Sequence, residues 1–280
     1  MGSFIVTVVG ENPEQQMLKY SSASSPELPN PYMLMHDITE KLKSEIPTDF
    51  NGSMSEYLRA ECEYLCINEL QSIQEINIYN EHINGYFTVD SLGHVDKVFE
   101  RKNLNAECDG FVLGGGWSGF YFIKDGCSGL KLGIPRRGTE IRLNTSDMIL
   151  KGSIDFERMM KEAGEYAAKH YDAFYALAAK HNNYLGDAFE TEFWAEQNKG
   201  TFPMYASSYD YNQERHLFVR IRELYAISSY AFIINGEINK KPHSIGPLSL
   251  MDELLWLESV WSKLFSLPDD TVFALYQCHE

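Results

Sequence analysis

Both ends of the chain have the sequence of a buried β-strand, and this constrains the fold more than any other feature. Residues 4–9 (FIVTVV) are apolar and β-branched and end at a Gly-Glu-Asn-Pro turn. Residues 271–276 (TVFALY) form a similar run at the other end. Helical patterns lie between them. We therefore predict an α+β fold in which both terminal strands share one predominantly antiparallel sheet, packed with several helices.

Internal segments predict the helices and strands around this sheet. Ser53 and Glu56 form a capping box ahead of a helix predicted over about 54–75. One apolar stripe at helical spacing predicts the longest helix, over 155–180. The remaining predicted elements are two strands in 109–125 around a glycine-rich bend, a strand over 230–234 with a turn at Asn235-Gly236, and a helix over 248–265.

Length and composition favour a single α+β domain over residues 1–280. The chain is 44% hydrophobic and 23% charged, which is ordinary for a globular protein of this size. Residues 181–216 are rich in aromatic side chains and irregular in pattern. We interpret them as an inserted subregion or an interaction surface.

Charge and hydropathy exclude several classes of function. Forty acidic against 24 basic residues give a net charge of −16, which disfavours direct binding to a nucleic-acid backbone. No apolar run approaches the ~20 residues that span a bilayer, and the first residues lack the basic region of a signal peptide. The five cysteines are an odd number, which is typical of reduced thiols. We expect a cytoplasmic protein without a membrane partner.

The cysteine spacing does not predict a metal site. Cys62 and Cys66 are four residues apart, and such a pair can supply half of a zinc site. The other cysteines are scattered singly, and no His-Glu-x-x-His motif occurs. We predict neither a metal site nor a cofactor.

The glycines at 114, 116 and 119 match the spacing of a dinucleotide-binding motif. That motif needs a helix N-terminus directly after the glycines, whereas FYFIKDG follows here and predicts a strand and a turn. A kinase-type glycine-rich hairpin lacks its downstream catalytic motifs. We therefore interpret the glycines as permitting a sharp or bulged hairpin beside a packed Trp117.

Asp147, Lys151 and Asp155 recur every four residues, and two interpretations stay open. On one helix they would share a face and could bind a polar ligand. Gly152 and Ser153 instead favour a strand end followed by a helix start, capped by Ser153 or Asp155. His279 follows Cys278 directly, so these two side chains point to opposite faces of a strand and cannot form a dyad. No catalytic residue is assigned.

Three separated segments resemble a family of uncharacterised phage and prophage proteins. The family's start, M-S-x-F-T-V-L-V-I-G-x-N-P-E-x-Q-L, is matched by residues 1–18. Its central I-G-G-R-W-S-G and D-x-A-R-K-G-D-I-D-W-E are matched by 113–119 (LGGGWSG) and 147–157 (DMILKGSIDFE). Its ending, S-L-P-D-D-T with a final D-C-H, is matched by 266–271 and 277–279. The resemblance implies a phage setting and a host-cell cytoplasm, without an established activity.

Four charged residues of the family pattern are absent here, which favours a scaffold over an active site. The family's two arginines and two aspartates are replaced by Gly116, Leu150, Ser153 and Gln277. An active site built on those charges would be damaged, whereas glycines, caps and Trp117 would still support a fold.

Two hypotheses for the function follow. The first is a phage- or prophage-type accessory protein, not an enzyme, that binds a host protein for host takeover or anti-defence. The second is a protein that binds a small molecule or nucleotide, or an enzyme, with a pocket built from Trp117, Asp147, Lys151, Asp155 and His279. A pocket requires these residues to converge, whereas a scaffold requires them to be buried and mutually satisfied.

Overall fold

A computed structural model describes residues 2–25, 27–61, 85–92, 94–137, 140, 142–181, 186–203, 206–241 and 250–279. By contact they divide into two compact units. One consists of Met1–Gln16 with Phe111–His279, and the other of Met17–Gly110. This division by contacts does not test the prediction of a single domain over 1–280, which stays a prediction.

Along the described chain, strands and helices follow one another in an irregular order. The strands are β1 (Ser3–Val9), β2 (Leu34–Asp37), β3 (Gly85–Val89), β4 (Val95–Lys102), β5 (Gly110–Gly115), β6 (Tyr121–Phe122), β7 (Ile134–Pro135), β8 (Thr145–Ser146), β9 (Met148–Leu150), β10 (Ala231–Ile234), β11 (Glu237–Lys240) and β12 (Val272–His279). The α-helices are α1 (Pro13–Leu18), α2 (Thr39–Glu45), α3 (Met54–Glu61), α4 (Phe156–His181), α5 (Asp187–Asn198), α6 (Arg215–Tyr225) and α7 (Leu250–Ser266), with 3₁₀ turns at Lys151–Ser153 and Ser208–Tyr211.

The main sheet has the strand order β11-β10-β1-β12-β5-β7, and β9 also pairs with β12. The two terminal strands are antiparallel neighbours, with Ser3 opposite His279 and Val9 opposite Phe273. The predicted α+β class is confirmed, and so is the prediction that one sheet holds both terminal strands.

The prediction that this sheet is predominantly antiparallel is wrong, because the sheet is mixed. β1 pairs in parallel with β10, and β5 pairs in parallel with β7. Short hairpins force antiparallel pairing, whereas strands far apart in sequence are joined by long crossovers that permit either direction. The hairpin of β10 and β11 is antiparallel, as its two-residue turn requires.

The core of the first unit explains why the terminal runs are apolar. β12 is buried from Phe273 to Cys278, and helices α6 and α7 contribute buried side chains to the same cluster. Trp261 of α7 is buried in it, and its Nε1 donates a hydrogen bond to the carbonyl of Leu224. Burying such apolar surface is the main favourable term in folding.

The aromatic residues of 181–216 form a second core rather than an irregular segment. This stretch contains α5 and a 3₁₀ turn. Its aromatic rings pack with α4, and Phe174 stacks on Tyr211 with ring centroids 4.4 Å apart. Among the described side chains of this stretch, Trp194 is the exposed large aromatic. Most of these rings are buried and therefore do not form an exposed interaction surface. The interpretation of 181–216 as an inserted subregion stays a prediction.

The second unit contains a three-stranded antiparallel sheet in the order β2-β4-β3. The predicted capping box is confirmed, because the backbone N–H of Ser53 donates to Glu56 and that of Glu56 donates to the Ser53 hydroxyl. The rest of the helix predicted over 54–75 lies outside the described residues beyond α3. None of the described helices is both long enough and apolar enough to span a bilayer.

Candidate functional site

The Trp117 loop, residues 114–119, joins β5 to β6 and has a backbone that glycine makes possible. Gly114, Gly115 and Gly119 have φ of +71°, +59° and +83°, a left-handed conformation that side chains disfavour. The N–H of Trp117 donates to the Gly114 carbonyl. The predicted hairpin is wrong, because β5 belongs to the main sheet while β6 pairs with β8 in a separate one.

Asp147 lies beneath this loop and holds it in place. Its side chain is 0% exposed, and its carboxylate accepts four hydrogen bonds. Oδ1 accepts from the backbone N–H groups of Gly119 (2.7 Å) and Phe120 (3.1 Å). Oδ2 accepts from the Ser118 hydroxyl (2.7 Å) and the N–H of Gly133 (2.8 Å). A buried carboxylate is tolerated when its oxygens are satisfied in this way.

Gln277 of β12 supports the other side of the loop. Its Oε1 accepts a hydrogen bond from the Gly116 N–H at 2.7 Å. A side chain at position 114 would collide with the Asp147 carboxylate, and one at 115 would collide with the Gln277 side-chain amide. The glycines are therefore required by close approach as well as by backbone conformation.

Trp117 is held on this loop but is not packed in the core. Its side chain is 40% exposed, whereas its neighbour Ser118 and the supporting Asp147 and Gln277 are buried. The prediction of a packed Trp117 is wrong, because the buried contacts come from the loop backbone and leave the indole at the surface.

Beside Trp117 lies a cleft of about 840 Å³, which we call the Trp117 cleft. One wall is the face of α4 that carries Met159, Ala163 and Tyr166, whose spacing puts them on one side of the helix. The other wall is the Trp117 loop with Phe120 and Phe122. Tyr166 is exposed like Trp117. The cleft therefore combines accessible aromatic rings with an apolar helix face.

Carboxylates outnumber cations in the lining of the Trp117 cleft. Glu140, Glu162 and Glu165 line it, with Arg142 and Lys169. Glu162 is already held at 3.0 Å by Arg142, and Arg158 contacts its other oxygen. Glu140 and Glu165 form no ion pair with any residue of the described chain.

Lys151 and Asp155 have structural roles away from the cleft. Lys151 Nζ donates to the carbonyls of Phe265 and Leu267, so it satisfies the last turn of α7. Asp155 Oδ1 accepts from the N–H of Arg158 and caps α4. Of the two open interpretations, capping by Asp155 is the one observed.

The five candidate residues do not converge on one pocket. Lys151 follows Leu150, which pairs with Val272 at the first residue of β12, whereas His279 pairs with Ser3 at the last. At ~3.3 Å per residue these ends of β12 are about 23 Å apart. Asp147 lies beside the middle of β12, where its backbone carbonyl accepts a hydrogen bond from the N–H of Leu275. The predicted pocket built from all five residues is therefore not formed. Of the five, Trp117 is the one that lines the cleft. His279 lies at the end of β12, two residues beyond Gln277.

The described residues contain no group of three or more His, Cys, Asp or Glu side chains arranged to hold a metal ion. Cys62 and Cys66, the pair considered for zinc, lie outside the described residues. Cys108, Cys127 and Cys278 form no disulfide.

Sequence reasoning missed the partners of Asp147 and the contribution of Tyr166. Of the partners of Asp147, Gly133 is one that the sequence marks as a glycine. The structure shows why glycine is needed there, because a side chain would collide with the carbonyl of Leu113. Tyr166 lies on the predicted helix, but which of its faces borders a cleft depends on the loop packed against it.

Comparison with known proteins gives no relative: no family model matches the chain, and neither does any curated protein or solved structure.

Proposed function

We propose that this protein is a phage-type accessory protein that acts by binding a host protein, for host takeover or anti-defence. The contact surface is the Trp117 loop with the Trp117 cleft. The observation that carries the proposal is the exposure of Trp117 on a loop whose supporting side chains are buried.

The construction of the loop supports a binding role. Three hydrogen bonds to Asp147, from Ser118, Gly119 and Phe120, and one to Gln277, from Gly116, hold the chain on either side of the indole. A tryptophan fixed before binding loses little conformational entropy when it meets a partner. Tryptophan is also among the residues that most often dominate the energy of protein interfaces.

The chemistry of the cleft favours a cationic segment of the partner. Trp117 and Tyr166 are exposed aromatic rings, which attract ammonium and guanidinium groups. Glu140 and Glu165 line the same cleft without ion-pair partners among the described residues, and the whole chain has a net charge of −16. We therefore expect an arginine or lysine side chain of the host protein to enter the cleft.

Two departures from the phage family pattern lie in contact in the structure. Gly116 stands where the family has an arginine, and Gln277 where it has an aspartate. A Cβ at position 116 would be 3.5 Å from Gln277 Oε1. An arginine and an aspartate at these positions would be close enough to pair, so the two replacements together remove one ion pair.

A small-molecule ligand is the second candidate for the cleft, and its volume of about 840 Å³ favours it. This volume falls within the range of small-molecule sites. A nucleotide fits less well, because Glu140 and Glu165, which have no ion-pair partner among the described residues, would repel its phosphates.

The test compares the two exposed tryptophans, Trp117 and Trp194. A photo-crosslinking amino acid is placed at position 117 in one variant and at position 194 in another, and each variant is crosslinked in extract of the host. The proteins of interest are those captured by the first variant and not by the second. The captured protein is then purified, and its affinity is measured for the wild type, Trp117→Ala and Trp194→Ala.

We expect Trp117→Ala to weaken binding by about 10- to 100-fold, as the loss of an interface anchor does. Its free energy of unfolding should fall by about 1–2 kcal/mol, less than the ~3–5 kcal/mol of a fully buried aromatic. Trp194→Ala should leave the affinity unchanged. Equal affinities for all three proteins would contradict the proposal.

A further inference from the structure

A second cavity of about 530 Å³ lies in the first unit between α4, α6 and the segment that ends in the 3₁₀ turn at Ser208–Tyr211. We call it the His170 cavity. Its polar lining consists of Tyr166, His170, Asp210, Tyr211, Arg222 and Tyr225. Tyr166 also lines the Trp117 cleft, so its ring belongs to the walls of both spaces.

Two buried polar side chains in this cavity have unused hydrogen-bonding capacity. His170 is 4% exposed and Tyr211 is 1% exposed. Neither the imidazole nor the phenol hydroxyl hydrogen-bonds to any residue that the structure describes. The buried Gln197 amide nearby, by contrast, donates to the carbonyls of Pro203 and Ala206. Among the described residues, the fully buried side-chain oxygen or nitrogen without a partner is Gln213 Oε1, so the polar atoms of His170 and Tyr211 retain accessible surface. A cavity lined by such groups is suited to a polar ligand.

Both of these groups are neutral at physiological pH. Burial lowers the pKa of His170, and the nearby Lys169 lowers it further. Burial raises the pKa of Tyr211 to about 12, opposed by Arg222 and assisted by Asp210. A neutral imidazole and a neutral phenol can each donate or accept a hydrogen bond.

Two opposite charges, Arg222 and Asp210, line the same cavity without pairing with each other. Arg222 and Asp210 both act electrostatically on Tyr211. In the described chain no carboxylate lies within ion-pair distance of Arg222, whose guanidinium is 5.2 Å from the ring centroid of Phe218. Asp210 accepts the N–H of Ser207 and has no cation partner among the described residues. Glu253, which Arg222 also influences, is already bound by Lys241 at 2.7 Å.

This combination specifies the class of ligand. An unpaired guanidinium fits a carboxylate, and an unpaired carboxylate fits an ammonium group. The rings of Phe218 and Tyr211 and the methyl groups of Ala163, Ala167 and Ala206 supply apolar surface for the rest of the molecule. We propose that the His170 cavity binds a free α-amino acid with an aromatic or apolar side chain, its carboxylate at Arg222 and its ammonium group at Asp210. The inference does not depend on the proposed function, because Arg222 and Asp210, which carry it, do not line the Trp117 cleft.

The test uses the full chain and the twenty L-amino acids, with binding measured by calorimetry and by the shift of the thermal unfolding midpoint. Each amino acid that binds is compared with its C-terminal amide, which lacks the carboxylate, and its N-acetyl derivative, which lacks the ammonium group. Arg222→Met retains the aliphatic stem. Arg220→Met is the matched control, because Arg220 lies on the same helix, pairs with Glu223 and does not line the cavity.

We expect saturable binding of at least one aromatic or apolar amino acid, weakened about 10- to 100-fold by Arg222→Met, as is typical for the loss of a charged hydrogen bond. Arg220→Met should bind like the wild type. The amide should bind Arg222→Met and the wild type equally, since it has no carboxylate to lose. The inference is overturned if no amino acid binds below about 10 mM, or if Arg222→Met and Arg220→Met bind the amino acid equally.

Discussion

Replacing Asp147 with asparagine should lower the free energy of unfolding by about 3–5 kcal/mol. The carboxylate accepts four hydrogen bonds through two oxygens, in a site with no solvent exposure. Asparagine has the same shape but one oxygen, and its amide N–H groups would face donors where an acceptor is needed. At least one buried donor then loses its partner, and each such loss costs about 1–3 kcal/mol. Urea unfolding followed by circular dichroism measures the change.

Asp155→Asn is the matched control for this prediction. Asp155 also accepts a backbone N–H, but as the N-cap of α4, where asparagine caps about as well as aspartate. Its free energy of unfolding should change by less than about 0.5 kcal/mol. If the two variants were equally stable, Asp147 would not be the support of the Trp117 loop.

Replacing Gly114 with alanine should lower the free energy of unfolding by about 3–4 kcal/mol. One part of the cost comes from the positive φ of +71°, which alanine disfavours. The larger part comes from the collision of the new methyl group with the Asp147 carboxylate, which cannot move without breaking its hydrogen bonds.

Gly126→Ala separates these two costs. Gly126 has a φ of +79°, but a Cβ there would meet nothing within 4 Å. We expect this variant to lose about 1 kcal/mol, the conformational cost alone. The same unfolding measurement serves both variants, and a Gly114→Ala loss no larger than that of Gly126→Ala would show that the space under the loop is not filled as described.

Local sequence patterns predicted the elements that local physics determines. The apolar run at 4–9 became β1, and the striped segment at 155–180 became α4, with Asp155 as its cap. Asn235-Gly236 forms the predicted turn, because both residues adopt the positive φ that this dipeptide tolerates.

The strand pairing and the support of the Trp117 loop depend on contacts between residues far apart in sequence. Local sequence patterns do not predict such contacts. The parallel pairing of β1 with β10 joins strands more than two hundred residues apart. The Trp117 loop depends on donors at 118–120 and 133 meeting one carboxylate at 147, a set that no local motif contains. The glycine-rich pattern predicts a hairpin beside a packed Trp117, whereas in the structure the side chain of Trp117 is 40% exposed and its neighbour Ser118 is buried.

We propose that the exposed side chain of Trp117, carried on a loop held by Asp147 and Gln277, binds a cationic group. The NMR signals of the indole N–H groups test this most directly. ¹⁵N-labelled protein contains four tryptophans, assigned by substitution, and is titrated with an arginine-rich peptide and with a glutamate-rich peptide of the same length. The account predicts a saturable shift of the Trp117 signal with the arginine-rich peptide alone, while exposed Trp194 and buried Trp261 stay unchanged. An unchanged Trp117 signal, or equal shifts at Trp117 and Trp194, would contradict it.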